Sequence, residues 1–75
     1  PEAHLLSDEI KQKIIDVISN LPADLRQAIT LRELEGLSYE EIAEVMQCPI
    51  GTVRSRIFRA REAIDAVVGP LMRND

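Results

Sequence analysis

Residues 38–61 read SYEEIAEVMQCPIGTVRSRIFRAR, and their apolar residues recur at helical spacing on both sides of a short break. Ser38 and Glu41 form the S-x-x-E pattern of a capping box, which predicts that a helix begins at the residue after Ser38. Pro49 disfavours helical backbone at the residue before it, so this helix should end near Met46. A longer helix should begin just after Pro49. Two helices joined by about three residues predict a helix-turn-helix.

Upstream of this stretch, proline and glycine residues divide the chain into two more predicted helices. Ser7 suits the N-cap of the first helix, Pro22 suits the start of the second, and Gly36 suits the left-handed position that ends it. Gly69-Pro70 should stop the last helix. We therefore predict an all-α, single four-helix domain over residues 1–75 with a C-terminal helix-turn-helix. The predicted helices are at about 8–19, 23–35, 39–46 and 50–68, and the helix-turn-helix is at 39–68.

The composition leaves little support for catalysis, metal binding or membrane insertion. One cysteine, Cys48, excludes an internal disulfide, and with one histidine, His4, a zinc site would have to draw on scattered carboxylates. We interpret Cys48 as a small, half-buried apolar side chain of the turn. The apolar runs are far shorter than the ~20 residues of a membrane-spanning helix. No nucleophile–histidine arrangement, glycine-rich phosphate loop or paired-carboxylate site occurs, so we expect no enzyme activity, no cofactor, no metal and no membrane insertion.

Charge is distributed unevenly along the chain. The formal net charge of −4 argues at first against a nucleic-acid partner, but residues 1–48 sum to −6 and residues 49–75 to +2. Residues 52–61 contain no acid and four arginines, which are Arg54, Arg56, Arg59 and Arg61. A solvated helix face is one interpretation of such a segment. The absence of lysine favours another, because arginine suits bidentate contact with phosphate or guanine better than lysine does.

A helical wheel of the last helix separates an inward stripe from an outward face. The stripe consists of Val53, Ile57, Ala60 and Ile64. The residues opposite it are Gly51, Ser55, Phe58, Arg59 and Glu62, with Arg54 and Arg61 on one flank and Arg56 on the other. Arginine can bind guanine O6 and N7 in a major groove, and an apolar ring can contact a thymine methyl. The alternative for Phe58 is that it covers a neighbouring element.

The start of the same helix suits a phosphate group. Its first turn should offer free N–H groups at Ile50, Gly51 and Thr52. Gly51 has no side chain to block approach, and the Thr52 hydroxyl adds a donor. This end of the helix is therefore predicted to contact the nucleic-acid backbone.

Three runs of the sequence are similar to a known family: LP at 21–22, LSYEEIA at 37–43 and CPIGTVRSRIFRARE at 48–62. Together they resemble region four of bacterial sigma factors, most closely the extracytoplasmic-function group and its envelope-stress sigma-E type. The resemblance covers roughly residues 8–68. It implies binding of the −35 promoter element as double-stranded DNA, docking on the β-flap of RNA polymerase, and covering by an anti-sigma factor. It also implies a bacterial cytoplasmic location, at the inner membrane when a membrane-bound anti-sigma factor holds the domain.

The resemblance also implies roles for individual residues. The positions that face base edges in the family are Arg54, Ser55, Phe58 and Arg59. The positions at or near the phosphate backbone are Gly51, Thr52, Arg56, Arg61 and Tyr39, with Arg32 as a further candidate. The family's region that melts the −10 element is absent from this chain, so the chain should not initiate transcription alone. We expect a monomer that binds a GGAAC-like −35 duplex weakly.

Two other functions fit the same helical layout. The output domain of a response regulator has a similar arrangement and normally dimerises through its last helix, and the run Gly51-Thr52-Val53-Arg54 does not separate the two families. The domain could also act chiefly as a protein-interaction module for the flap or an anti-sigma factor. The candidate docking patch consists of Leu31, Leu34, Leu37, Val67, Leu71 and Met72. This last function is compatible with DNA binding.

Overall fold

In the computed structural model, four helices make up the regular structure of residues 2–72. They are α1 (Glu2–Ser19), α2 (Ala23–Glu33), α3 (Tyr39–Met46) and α4 (Ile50–Met72). The structure describes the backbone of residues 2–72 and the side chains of residues 8–71, and no strand occurs in that range. The predicted all-α class is confirmed, and α3 and α4 form the predicted helix-turn-helix.

One apolar cluster holds the helices together, and α4 contributes to it along much of its length. α4 contacts each of the other three helices. The buried cluster consists of Leu21, Ala28, Ile29, Ile42, Val53, Ile57 and Ala60. No polar or charged side chain is buried among residues 8–71, so no unpaired polar group opposes packing there. The inward stripe predicted for α4 is confirmed at Val53, Ile57 and Ala60, while Ile64 is partly buried.

The capping box fixes the start of α3. Ser38 Oγ accepts a hydrogen bond from the Glu41 amide at 3.1 Å, and Glu41 Oε1 accepts one from the Ser38 amide at 2.8 Å. These two bonds satisfy amides that the first turn of a helix leaves without partners. The predicted start of the helix-turn-helix is therefore confirmed at the level of individual atoms.

Replacing Ser38 with alanine should lower the free energy of unfolding by about 1 kcal/mol, because the Glu41 amide loses its acceptor. Urea denaturation followed by circular dichroism measures this change. Ser19→Ala is the matched control, since the exposed Ser19 lies at the end of α1 and makes no side-chain hydrogen bond among the described residues. Equal losses for both variants would contradict the capping role of Ser38.

The turn between α3 and α4 reverses the chain through one left-handed residue. Gln47 has φ of 55°, a conformation that glycine adopts more easily. Its side-chain Nε2 donates to the Glu44 carbonyl at 2.9 Å, and the Cys48 amide donates to the Ala43 carbonyl at 3.1 Å. These bonds satisfy the last carbonyls of α3, so the turn keeps its geometry without glycine.

The predicted start of α1 is wrong. α1 begins at Glu2 rather than Asp8, and Ser7 lies inside the helix instead of at its N-cap. Residues 2–6 contain no proline or glycine and include alanine, leucine and glutamate, which are good helix formers. Nothing in this segment therefore opposes extension of the helix toward the N-terminus.

The ends of α2 differ slightly from the prediction. Pro22 occupies the N-cap with ψ of 149° rather than the first helical position, because its backbone is still extended. The regular helix ends at Glu33, two residues early, but Gly36 adopts the predicted left-handed conformation with φ of 72°. The Leu37 amide then donates to the Leu31 carbonyl at 3.1 Å, which satisfies one of the last carbonyls of α2.

The predicted end of α4 at Val68 is also wrong, because the helix continues through Gly69-Pro70 to Met72. Proline is disfavoured after a helical residue because its ring clashes with that residue's backbone N–H and Cβ, and Gly69 lacks the Cβ. Pro70 removes one backbone donor close to the end of the helix, so few bonds are lost. Val68 is buried, which holds this part of α4 against the rest of the domain.

Candidate nucleic-acid interface

One face of α4 is open to solvent over most of the predicted contact surface. The exposed residues on it are Gly51, Arg54, Ser55, Phe58, Arg59, Arg61 and Glu62. Phe58 is 63% exposed, so it does not cover a neighbouring element, and that alternative is wrong. A helix that buries Val53 and Ile57 while exposing Phe58 and arginine presents a surface of the kind that enters a major groove.

Arg54 and Arg59 form no ion pair or side-chain hydrogen bond within residues 8–71. Both side chains are exposed, and both lie on the open face of α4. A ligand can therefore engage these two guanidinium groups without breaking a contact inside the described part of the chain.

Three helices bring Arg32, Tyr39 and Arg61 together beside that face. The Arg32 guanidinium lies 5.1 Å from the centroid of the Tyr39 ring, and Arg32 Nη1 donates to the Leu37 carbonyl at 2.8 Å. Arg61 Nη2 lies 2.6 Å from Glu33 Oε2. The hydrogen bond from Arg61 to Glu33 raises the pKa of Arg61 above its usual value, against the opposing effect of burial, and Tyr39 contributes in the same direction. The cluster therefore contains two cations, one phenol and one carboxylate.

Arg56 is half-buried and is already engaged inside the domain. Its Nε lies 3.5 Å from Asp24 Oδ2, and its Nη1 donates to Cys48 Sγ at 3.7 Å. These contacts link α4 to α2 and to the turn that precedes α4. Cys48 itself packs partly buried against the core, as predicted for a small apolar residue of the turn.

The first turn of α4 offers fewer free amides than predicted. The Thr52 amide donates to the Pro49 carbonyl at 3.0 Å, as does the Val53 amide at 3.2 Å, so the Thr52 amide is not free. The cause is the short i→i+3 bond with which a helix often tightens its first turn. The amides of Ile50 and Gly51 have no backbone partner within residues 2–72. A Cβ on Gly51 would meet no atom within 4 Å, so the approach to this turn is open.

An apolar groove of about 600 Å³ runs between α1, α2 and α4 and reaches Arg61. Its walls are mainly Ile14, Ile15, Ile18, Ile29, Leu34 and Ile64, with Lys11, Glu33 and Arg61 among the residues at its edges. Of the docking-patch residues whose side chains are described, only Leu34, which is 81% exposed, lines this groove. Val67 is exposed, and Leu31, Leu37 and Leu71 are partly buried, while the side chain of Met72 lies outside the described residues.

The groove was not predicted from the sequence; in it Ile15 is exposed, and Ile14 and Ile18 are partly buried. The sequence feature that could have indicated the groove is the apolar stripe of α1. Ile14, Ile15 and Ile18 make this stripe wider than α4 alone can cover. Within the described residues no group of side chains could hold a metal ion, and none of the four helices is long and apolar enough to cross a membrane.

The chain is similar to known proteins over almost all of its length. Residues 11–64 match the family described as Sigma-70, region 4. Over 73 residues the chain is 67% identical to the ECF RNA polymerase sigma-E factors of Escherichia coli (strain K12) and Salmonella typhimurium (strain LT2). Over 72 residues it is 65% identical to the sigma-E factor of Haemophilus influenzae. These alignments cover 97%, 97% and 96% of this chain but only 38% of each relative.

Proposed function

Because the chain belongs to the sigma-70 region 4 family, we propose that it binds the −35 element of promoters as double-stranded DNA through the open face of α4. The observation that carries the proposal is the pair of exposed guanidinium groups, with Arg59 opposite the buried stripe of the helix and Arg54 on its flank. In a major groove these groups bind guanine edges, Ser55 hydrogen-bonds a base edge, and the Phe58 ring contacts a thymine methyl.

The remaining predicted contacts are proposed to bind phosphates and to set the orientation of α4 on the duplex. At the start of the helix, the free amides and the unobstructed backbone at Gly51 suit one phosphate, with Thr52 beside it. Farther along, Arg32, Tyr39 and Arg61 suit a second one. Arg56 has to exchange Asp24 for a phosphate before it can contribute.

Protein partners are proposed to bind an adjoining surface, which shares Glu33 and Arg61 with the phosphate-binding cluster. The apolar groove between α1, α2 and α4 suits the β-flap of RNA polymerase or an anti-sigma factor, because it leaves apolar side chains uncovered. Neither Arg54 nor Arg59 lines it. The family match argues against the response-regulator alternative, whereas the interaction-module function is part of this proposal.

The charge distribution bears on the strength of DNA binding. The formal net charge of the chain is −4, and most of its acidic residues lie outside α4. DNA is therefore repelled least at the exposed face of α4. The domain alone should therefore bind weakly, and the polymerase should supply the remaining affinity by holding it at the promoter. As part of a bacterial sigma factor, the chain is proposed to act in the cytoplasm in transcription initiation, as a monomer and without enzyme activity of its own.

A hydroxyl-radical footprint tests this function. At low salt the chain should protect a GGAAC-containing −35 duplex over that element, because base contacts add to the phosphate contacts. Adding a β-flap fragment should strengthen the protection without moving it. A duplex with the element scrambled is the matched control. Equal protection of both duplexes would contradict base recognition by α4, and a nanomolar dissociation constant for the chain alone at physiological salt would contradict weak autonomous binding.

A further inference from the structure

The ion pair between Arg61 and Glu33 lies at the junction of α2 and the proposed DNA-binding face. Arg61 Nη2 and Glu33 Oε2 are 2.6 Å apart, and the two side chains are 52% and 53% exposed. Glu33 is the last residue of α2, while Arg61 lies near the middle of α4. The pair is therefore accessible to a ligand, and it occupies a guanidinium group that the proposed function assigns to a phosphate.

We propose that Glu33 restrains DNA binding by this domain, because its carboxylate competes with a DNA phosphate for the Arg61 side chain. The inference rests on the proposed function of α4. Carboxylate and phosphate are both oxyanions that accept charge-assisted hydrogen bonds from guanidinium. A phosphate that binds Arg61 has to displace the Glu33 carboxylate, and the loss of that ion pair reduces the affinity.

Among the other arginines of this surface, only Arg56 has a carboxylate partner within residues 8–71. Arg54 and Arg59 have no carboxylate partner within residues 8–71, and Arg32 is bonded to a backbone carbonyl, which carries no net charge. Arg56 has a carboxylate partner, but that contact is longer, at 3.5 Å, and the arginine is less exposed. Glu33 is therefore the acid whose removal should have the clearest effect on DNA affinity.

The experiment measures the affinity of the chain for a fluorescently labelled −35 duplex by anisotropy at low salt. Glu33→Gln keeps the size of the side chain and removes its charge, and it should tighten binding about two- to fivefold, the range expected when one exposed ion pair no longer has to be broken. Glu35→Gln is the matched control, because Glu35 is exposed, lies two residues away and has no ion-pair partner among the described residues. It should change the affinity less than Glu33→Gln does.

A double-mutant cycle separates competition for Arg61 from a general effect of charge. In an Arg61→Gln background, Glu33→Gln should give no more than the small gain of Glu35→Gln, since no guanidinium remains to be released. An undiminished gain in that background would overturn the competition, as would a Glu33→Gln variant that binds no more tightly than the wild type. In both cases the proposed function stands. If the wild-type chain does not distinguish the −35 duplex from a scrambled one, the proposed function fails, and the inference fails with it.

Discussion

Replacing Ile57 with alanine is expected to lower the free energy of unfolding by about 2–5 kcal/mol. Ile57 is 1% exposed and belongs to the cluster that joins α4 to the other helices. Truncation removes buried methyl groups and leaves a cavity that the surrounding helices can fill only in part. A domain of this size has a total stability of about 4–11 kcal/mol, so the loss is a large fraction of it. Urea denaturation monitored by circular dichroism measures the change.

The control for this prediction is the next residue along the chain. Phe58 is larger than Ile57 but lies on the opposite face of α4, where it is 63% exposed. Phe58→Ala should therefore change stability by less than about 0.5 kcal/mol, since little apolar area returns to water and alanine favours the helix. Comparable losses at the two positions would show that the inward and outward faces of α4 are wrongly assigned.

The contrast between these neighbours shows why much of the fold could be predicted from the sequence. Helical periodicity places Ile57 and Phe58 on different faces, and the capping box at Ser38 fixes where α3 begins. Both are local properties that need no knowledge of the remaining chain. The same holds for the left-handed Gly36, because glycine is the residue that adopts this conformation most easily.

Two kinds of feature could not be predicted. One depends on competing local effects on the same helix end, and the other on contacts between residues far apart in the sequence. Gly69-Pro70 is normally a stop signal, yet the helix continues through it, and the absence of a Cβ on Gly69 removes part of the clash with the Pro70 ring. The pairing of Arg61 with Glu33 joins residues that are 28 positions apart, and it follows only from the way α2 packs beside α4. Sequence periodicity placed Arg61 on the flank of the helix, but it could not indicate which acid lies next to it.

Whether an arginine is paired inside the domain affects the expected result of removing it. Arg59→Ala should weaken binding to the −35 duplex by about 1–3 kcal/mol and relax the preference at one base pair, as expected for loss of a direct contact with a base. Arg59 has no ion-pair partner within residues 8–71, so no contact inside the described part of the chain compensates for its loss. The measurement is anisotropy against duplexes that carry each single base-pair change in the element.

Arg61→Ala is the matched comparison, because it removes the same chemical group from the flank of the same helix. It should weaken all duplexes alike and lower the salt dependence of binding by about one phosphate contact. Its effect should also be smaller than that of Arg59→Ala, since Arg61 has to leave Glu33 before it gains a phosphate. If Arg59→Ala reduced affinity equally on every sequence, or if Arg61→Ala changed base preference, the division of α4 into base-reading and phosphate-binding residues would be wrong.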